Sequence, residues 1–97
     1  MAIIFQWDRR KALSNAAKHG VTFTEAATAF ADPFSVTAPD QRHSVDGDRF
    51  VVFWQSNRCR LVAVMFTARR GTIRIISACL MTPRERRKYE GGGEYDA

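Results

Sequence analysis

Seven arginines are the residues of this chain best suited to chemistry, because the stretch from 49 to 84 that holds them contains no carboxylate. They are threaded through runs rich in Val, Ile and Phe, which are typical of β-strands. A guanidinium held on a strand presents a planar fork of donors that can bind phosphate oxygens at two points. The pattern therefore predicts a polyanion as the partner. The seven are Arg49, Arg58, Arg60, Arg69, Arg70, Arg74 and Arg84.

Arg69, Arg70 and Arg74 flank one predicted hairpin turn and form the predicted phosphate clamp. If the polyanion is RNA, cleavage without a metal needs a base for the 2′-hydroxyl, cations for the charge on the phosphorane and a donor for the leaving oxygen. Fixed guanidinium groups supply the cations that stabilise the charge on the phosphorane, and they could also supply the donor for the leaving oxygen. The structural alternative is a strand edge that these charges protect against aggregation.

The other candidates each have a structural alternative. His43 lies in a predicted loop, where an imidazole that titrates near neutrality could take the proton, although a lone loop histidine is often only solvated. Trp7 and Trp54 could stack on bases or pack in the core, and Trp7, beside charged residues, is the predicted base-stacking residue. Arg60 on a strand is predicted to bind RNA. On the C-terminal helix, which is predicted to flank a ligand groove, Arg84 is assigned to catalysis and Arg87 and Lys88 to RNA binding, with a solvated helix as the alternative.

Charge is concentrated in the second half of the chain. The net charge is +5, and residues 49–97 carry ten Lys or Arg against four Asp or Glu, whereas residues 1–48 carry five against six. Twelve of the fifteen cations are arginine, which indicates recognition of an anion more than general solubility. The chain of 97 residues fits one domain, expected over 1–90, followed by a flexible tail over 91–97.

The sequence shows no signal for targeting and no short metal-binding motif. The apolar start, Ala2 to Phe5, is shorter than the core of a signal peptide, and no run approaches a membrane span. We therefore expect a cytoplasmic protein with no membrane partner, in which Cys59 and Cys79 stay reduced. The two Cys and two His are too scattered for a short chelating pair, so neither a metal nor another cofactor is expected.

The hydrophobic pattern predicts an α+β fold with two N-terminal helices, an antiparallel β-sheet meander and a C-terminal helix. Asp8 is a predicted N-cap, and capping boxes begin at Thr22 and Thr82. Two short links, Ser56-Asn57 and Arg70-Gly71, predict hairpins. The predicted helices are Arg9 to His19, Phe23 to about Ala31 and Pro83 to Glu90. The predicted strands are Ala2 to Trp7, Phe34 to Ala38, Arg49 to Gln55, Arg60 to Arg69 and Thr72 to Cys79.

A series of short motifs runs in order over nearly the whole chain. They are Phe5-Gln-Trp-Asp8, Lys11-Ala, Asn15, Lys18-His-Gly-Val21, Phe23-Thr-Glu-Ala26, Asp32-Pro33, His43-Ser44, Thr67-Ala-Arg69, Arg74-Ile-Ile-Ser-Ala78, Glu85-Arg86 and Tyr89-Glu90. Together they resemble the BrnT-type toxins of bacterial type II toxin–antitoxin systems. Residues that match the family pattern where basic or aromatic functional residues are expected are Trp7, Arg69, Arg74, Arg84 and Arg87.

The resemblance implies a fold similar to the RelE-type ribonuclease toxins and a metal-independent endoribonuclease that cleaves RNA, including mRNA, and inhibits translation. It also implies a BrnA-type antitoxin, through which the complex would reach operator DNA. The chain departs from the family pattern at Cys79, where an arginine is usual, and at Trp54 and Cys59, where glycines are usual. The loss of an arginine at Cys79 predicts weakened activity, so a non-catalytic RNA-binding or antitoxin-docking module is the alternative.

Overall fold

The helices and strands follow the order that the hydrophobic pattern predicts. The structure, a computed structural model, describes residues 3–40 and 48–90, so the predictions for His43 and for the tail lie outside the described residues. The elements are β1 (Ile4–Gln6), α1 (Arg9–His19), α2 (Phe23–Thr28) with a 3₁₀ turn (Ala29–Ala31), β2 (Val36–Pro39), β3 (Arg49–Gln55), β4 (Leu61–Arg69), β5 (Thr72–Leu80) and α3 (Pro83–Glu90).

The sheet is mixed, which corrects the prediction of a purely antiparallel meander. β3, β4 and β5 form the predicted meander, and β2 adds to β3 in antiparallel fashion. β1 instead pairs in parallel with β5, with Gln6 opposite Arg74, so the strand order is β1-β5-β4-β3-β2. A parallel pair needs a long crossover connection, which the whole chain between β1 and β5 provides. The sequence identified β1 as a strand but carried no signal for its partner.

The helix ends form as their residues predict. Asp8 accepts a hydrogen bond from the Lys11 backbone N–H at 3.0 Å, and Gly20 ends α1 with a φ of 70°. At α3, Thr82 and Glu85 form the complete capping box: Thr82 Oγ1 accepts from the Glu85 N–H, and the Glu85 carboxylate accepts from the Thr82 N–H. These caps fix where α1 leaves β1 and where α3 leaves β5.

One face of the sheet carries the hydrophobic core. Val52 on β3, Val64 on β4 and Ala78 on β5 lie side by side, and α1 and α2 cover them. Phe23 on α2 is nearly inaccessible to solvent, as is Ile75 on β5. Side chains alternate along a strand, so Arg74 beside Ile75 and Thr67 beside Phe66 lie on the opposite face of the sheet. The alternation is interrupted once, where the register between β4 and β5 shifts at Met65 and Phe66.

Asn15 fixes α1 to the sheet by polar contacts. Its amide nitrogen donates to the carbonyl oxygens of Val21, at 2.9 Å, and Ala78, at 2.7 Å. Its Oδ1 accepts from the Ala78 N–H at 3.1 Å and from the Ser77 hydroxyl at 3.2 Å. The side chain is buried, so each of these bonds replaces one that water would otherwise provide. The contacts hold β5 under the helical layer.

Glu25 and Arg60 join α2 to the turn between β3 and β4. Thr22 Oγ1 accepts from the Glu25 N–H as the capping box predicts, but the Glu25 carboxylate turns away from Thr22. It accepts from Arg60 Nε at 2.9 Å, from Arg60 Nη2 and from the Ser56 hydroxyl at 2.6 Å. Arg60 also donates to the Gly20 carbonyl oxygen at 2.9 Å. The prediction that Arg60 binds RNA is therefore corrected, because its guanidinium is engaged within the fold.

The pKa of the Glu25 carboxyl lies below its ordinary value of 4.5, chiefly because Arg60 donates to it and also because the Ser56 hydroxyl does. A carboxyl whose pKa is lower in the folded chain than in the unfolded chain stabilises the fold above the unfolded pKa, and the contribution disappears as the pH falls through the folded pKa. We therefore expect the difference in unfolding free energy between the wild type and Glu25→Gln to be largest above about pH 5 and to close on acidification. Urea unfolding at a series of pH values measures it, and a difference that stays constant between about pH 5 and pH 3 would contradict the assignment.

Candidate nucleic-acid interface

A row of polar side chains crosses the sheet on the face that α1 and α2 leave open. Gln6 on β1 lies opposite Arg74 on β5, Arg74 lies opposite Thr67 on β4, and Thr67 lies opposite Arg49 on β3. In the next row towards the hairpin, Thr72 pairs with Arg69. The two rows place arginines from neighbouring strands on one rigid surface.

These rows border a single open depression at the β4–β5 hairpin, here called the arginine depression. Its volume is about 470 Å³, within the range of about 300 to 1,000 Å³ that is common for ligand sites. Most of its lining residues carry guanidinium, hydroxyl or amide groups, which can donate hydrogen bonds to an anion, and one carries a carboxylate. The lining residues are Gln6, Asp48, Thr67, Ala68, Arg69, Arg70, Thr72 and Arg74.

Electrostatics favour an anion in the arginine depression. Within the described ranges 3–40 and 48–90, the salt bridges that form within 4.0 Å involve Glu25 and its partners, and none includes Arg69, Arg70 or Arg74. Asp8 is the N-cap of α1, and its pKa is lowered chiefly by the hydrogen bond from Lys11, with a smaller contribution from the charge of Arg74. The three lining arginines thus keep their donors available to a ligand.

The hairpin turn holds Arg70 in an unusual backbone conformation. Its φ is 51° and that of Gly71 is 81°, the pair of positive values that a two-residue primed turn requires. Side chains other than Gly, Asn and Asp rarely adopt this region, at a cost of roughly 1–2 kcal/mol per residue. An arginine at this position stabilises the turn less than Asn would, so its presence is explained better by the arginine depression than by the fold.

The C-terminal helix lies on the same face of the sheet as the arginine depression, but over a different part of it. The Tyr89 ring stacks on Phe53, with centroids 5.3 Å apart and planes 23° apart. Phe53 is opposite Ala63, four residues along β4 from Thr67, which corresponds to about 13 Å. Three cations of α3 that were predicted to belong to the site are exposed and do not line the arginine depression. They are Arg84, Arg87 and Lys88.

Cys79 lies in the part of the sheet that α3 covers and not at the arginine depression. It pairs with Ala63, about 13 Å along the strand from the row that contains Arg74, so the expectation that an arginine is missing beside the clamp is corrected. Burial raises the pKa of the Cys79 thiol, and the Glu85 charge adds to the shift. An arginine at this place would extend from the region of α3 and not from the rim of the arginine depression.

Trp7 is a packing residue, which corrects its assignment to base stacking. Its ring meets Phe23 edge to face, with centroids 5.9 Å apart, and it packs against the main core cluster. Trp54, on the helical face, lies 6.4 Å from the ring of Phe34. The charged neighbours of Trp7 in sequence are consistent with this place, because Asp8 begins α1 directly above the core.

Besides Ala68, four polar lining residues were not predicted from the sequence as site residues: Gln6, Asp48, Thr67 and Thr72. They are common polar residues, and only strand register brings them to the arginines. A register signal for Thr67 and Thr72 was available, since the Arg70-Gly71 hairpin fixes which residues pair across it. No comparable signal pointed to Gln6, because its strand joins from the distant N-terminal end.

No metal site is evident in the part of the chain that the structure describes: it contains no group of three or more His, Cys, Asp or Glu side chains placed to hold an ion. None of the described helices is long and apolar enough to cross a membrane.

Comparisons with known proteins identify the family and the fold. The model of the family described as "Ribonuclease toxin, BrnT, of type II toxin-antitoxin system" matches residues 7–85, a range that includes every lining residue except Gln6. The 1.1 Å crystal structure of the Brucella abortus ribonuclease toxin BrnT matches with a TM-score of 0.65 at 21% identity, covering 84% of this chain and 99% of that one. At this identity the likeness establishes a shared fold. A search of curated proteins found no match.

Arg70 is both a turn residue and a cation of the arginine depression, and replacing it by Asn separates these two roles. Asn-Gly is the preferred pair for this turn, so Arg70→Asn should raise the unfolding free energy by about 0.5–1 kcal/mol. The same change removes a cation from the arginine depression and should weaken binding of a short RNA. Urea unfolding and fluorescence anisotropy measure the two effects.

Cys59→Asn is the matched control, because Cys59 has a φ of 61° but lies in the turn before β4, at the opposite end of that strand. It should gain stability without any change in RNA binding. If Arg70→Asn bound RNA as tightly as the wild type, Arg70 would be only a turn residue.

Proposed function

Since the chain belongs to the BrnT family of ribonuclease toxins of type II toxin–antitoxin systems, we propose that it cleaves RNA at the arginine depression without a metal ion. The observation that carries the proposal is the convergence of Arg69, Arg70 and Arg74 on one open site. No carboxylate of the described residues pairs with any of the three arginines.

The arrangement suits a transition state that gains negative charge on phosphate oxygens. Arg69 and Arg74 come from neighbouring strands, so the sheet sets the separation of their backbones before the substrate binds. Donors that are already in place stabilise developing charge better than water, which must reorient. The Thr67 and Thr72 hydroxyls and the Gln6 amide can position the flanking sugar and phosphate.

The biological consequences belong to the same proposal. Cleavage of mRNA would inhibit translation in the cytoplasm, and a BrnA-type antitoxin would neutralise the toxin and carry the complex to operator DNA. The α+β arrangement, with α1 and α2 on one face of the sheet and the basic site and α3 on the other, supports a relationship to the RelE-type toxin fold. The exposed cations of α3, Arg84, Arg87 and Lys88, are proposed to attract the RNA chain beyond the scissile phosphate.

The same surface supports an alternative of a different class, a non-catalytic RNA-binding or antitoxin-docking module. The specific observation in its favour is that the described part of the arginine depression has three cations and only one carboxylate, with no histidine. Binding without cleavage, with an affinity that falls steeply as salt rises, would identify such a module.

Substituting Arg74 tests the proposal. The purified chain should cleave single-stranded RNA in the presence of EDTA, and Arg74→Ala should lower the rate about 10²- to 10³-fold, the usual effect of removing one preorganised donor. Gel analysis of a labelled RNA measures the rate, and circular dichroism checks that the fold is retained.

Arg58→Ala is the matched control for this experiment. The Arg58 side chain is 66% exposed and lies in the turn before β4, away from the arginine depression, so its loss should leave cleavage nearly unchanged. Equal losses in the two variants would mean that overall charge matters and not the site. RNA that stays intact with the wild-type chain would exclude the nuclease.

A further inference from the structure

We propose that Asp48 is the general base of the cleavage reaction, an inference that rests on the proposed ribonuclease function. Asp48 lines the arginine depression, and among the described lining residues it is the one carboxylate. It is exposed and directly precedes β3. The role requires a group that can take a proton from the ribose 2′-hydroxyl while the arginines hold the phosphate.

Strand register places the backbone of Asp48 beside the polar row. Asp48 precedes β3, and it lines the arginine depression. Arg49, the next residue, lies opposite Thr67, and Thr67 lies opposite Arg74. Asp48 is therefore one residue beyond the polar row, on the hairpin side where Arg69 also lies. A phosphodiester bound between Arg69 and Arg74 would have its ribose within the same depression as this carboxylate. Asp48 thus lines the same site as Arg69 and Arg74 but comes from the segment before β3.

Other described acid–base groups already have partners or lie elsewhere. The Glu25 carboxylate, 4% exposed, is bound by Arg60 and Ser56. Asp8 caps α1 and Glu85 caps α3. Burial raises the pKa of the Cys79 thiol, which keeps it protonated, and it does not line the arginine depression. Asp48 makes no hydrogen bond or ion pair with another residue of the described ranges 3–40 and 48–90.

The proposed step balances in atoms and charge. An Asp48 carboxylate oxygen accepts the 2′-hydroxyl proton as the 2′-oxygen forms a bond to phosphorus and the bond from phosphorus to the 5′-oxygen breaks. The leaving 5′-oxygen takes a proton from water, and the resulting hydroxide takes the proton from Asp48. The products are a 2′,3′-cyclic phosphate and a 5′-hydroxyl end. Arg69 and Arg74 stabilise the charge on the phosphorane between the two events.

A base in this position has a distinctive effect on binding. Its negative charge repels the phosphate that the arginines attract, so an uncharged amide of the same shape should improve binding while it abolishes proton transfer. A carboxylate that merely organises the arginines would behave differently, because its loss would weaken binding and cleavage together. Opposite changes in the two quantities therefore distinguish a catalytic base from a structural counter-ion.

The test compares Asp48→Asn with Asp32→Asn, which makes the same change of charge outside the arginine depression. Single-turnover cleavage of a labelled RNA gives the rate at a series of pH values, and a 2′-O-methyl RNA that lacks the reacting proton gives the dissociation constant. For Asp48→Asn we expect a rate about 10²- to 10⁴-fold lower, loss of the rise of rate with pH on the acid side, and binding at least as tight as wild type. Asp32→Asn should match the wild type in both assays.

Two results would overturn the inference while the proposed function stands. If Asp48→Asn cleaves within threefold of a wild type that depends on Arg74, another group is the base. If Asp48→Asn loses binding and cleavage together, Asp48 organises the site instead of taking a proton. A wild-type chain that does not cleave RNA at all would overturn the proposed function, and the base with it.

Discussion

The pairing of β5 with β1 on one side and β4 on the other is the constraint on which the rest of the structure depends. β5 presents Ile75 to the helical layer and Arg74 to the open face, because neighbouring side chains on a strand alternate. A slip of one residue would exchange the two faces, burying a guanidinium and exposing a core isoleucine. Burial of the core therefore also fixes the position of the arginine depression.

Buried polar contacts hold the helices against this sheet without using the arginines of the site. Asn15 joins α1 to β5 through the backbone of Ala78, and Glu25 joins α2 to Arg60. The arginines at the two ends of β4 therefore have different roles. Arg60, at the start of the strand, is a structural residue, whereas Arg69, at its end, lines the site. Nine residues along a strand correspond to roughly 30 Å, so the structural and ligand-binding charges do not compete.

Much of the fold was predictable from local signals. Asp8, Gly20 and the Thr82–Glu85 box mark helix ends through short-range geometry, and Arg70-Gly71 marks a hairpin, so these features appear where predicted. The parallel partner of β1 was missed because it depends on contacts between distant parts of the chain. For the same reason the Glu25 carboxylate was assigned to its own helix end and Arg60 to RNA, although the two bind each other across 35 residues.

The candidate site was predictable only in part. Arg69, Arg70 and Arg74 stand out because the hairpin brings them together, and their role in catalysis stays a prediction. Trp7 was misassigned because charged neighbours in sequence do not show which way a ring points, and here it points to Phe23. Gln6 and Asp48 come to the arginine depression from β1 and from the residue before β3, which no local pattern connects to the hairpin.

Binding of the scissile phosphodiester in the arginine depression can be followed by amide chemical-shift mapping with a 2′-O-methyl RNA. We expect the largest shifts during the titration on the backbone amides of Thr67, Arg69, Thr72 and Arg74. Shifts concentrated instead at the Ser56 to Arg60 turn, or spread evenly over the basic surface, would contradict it.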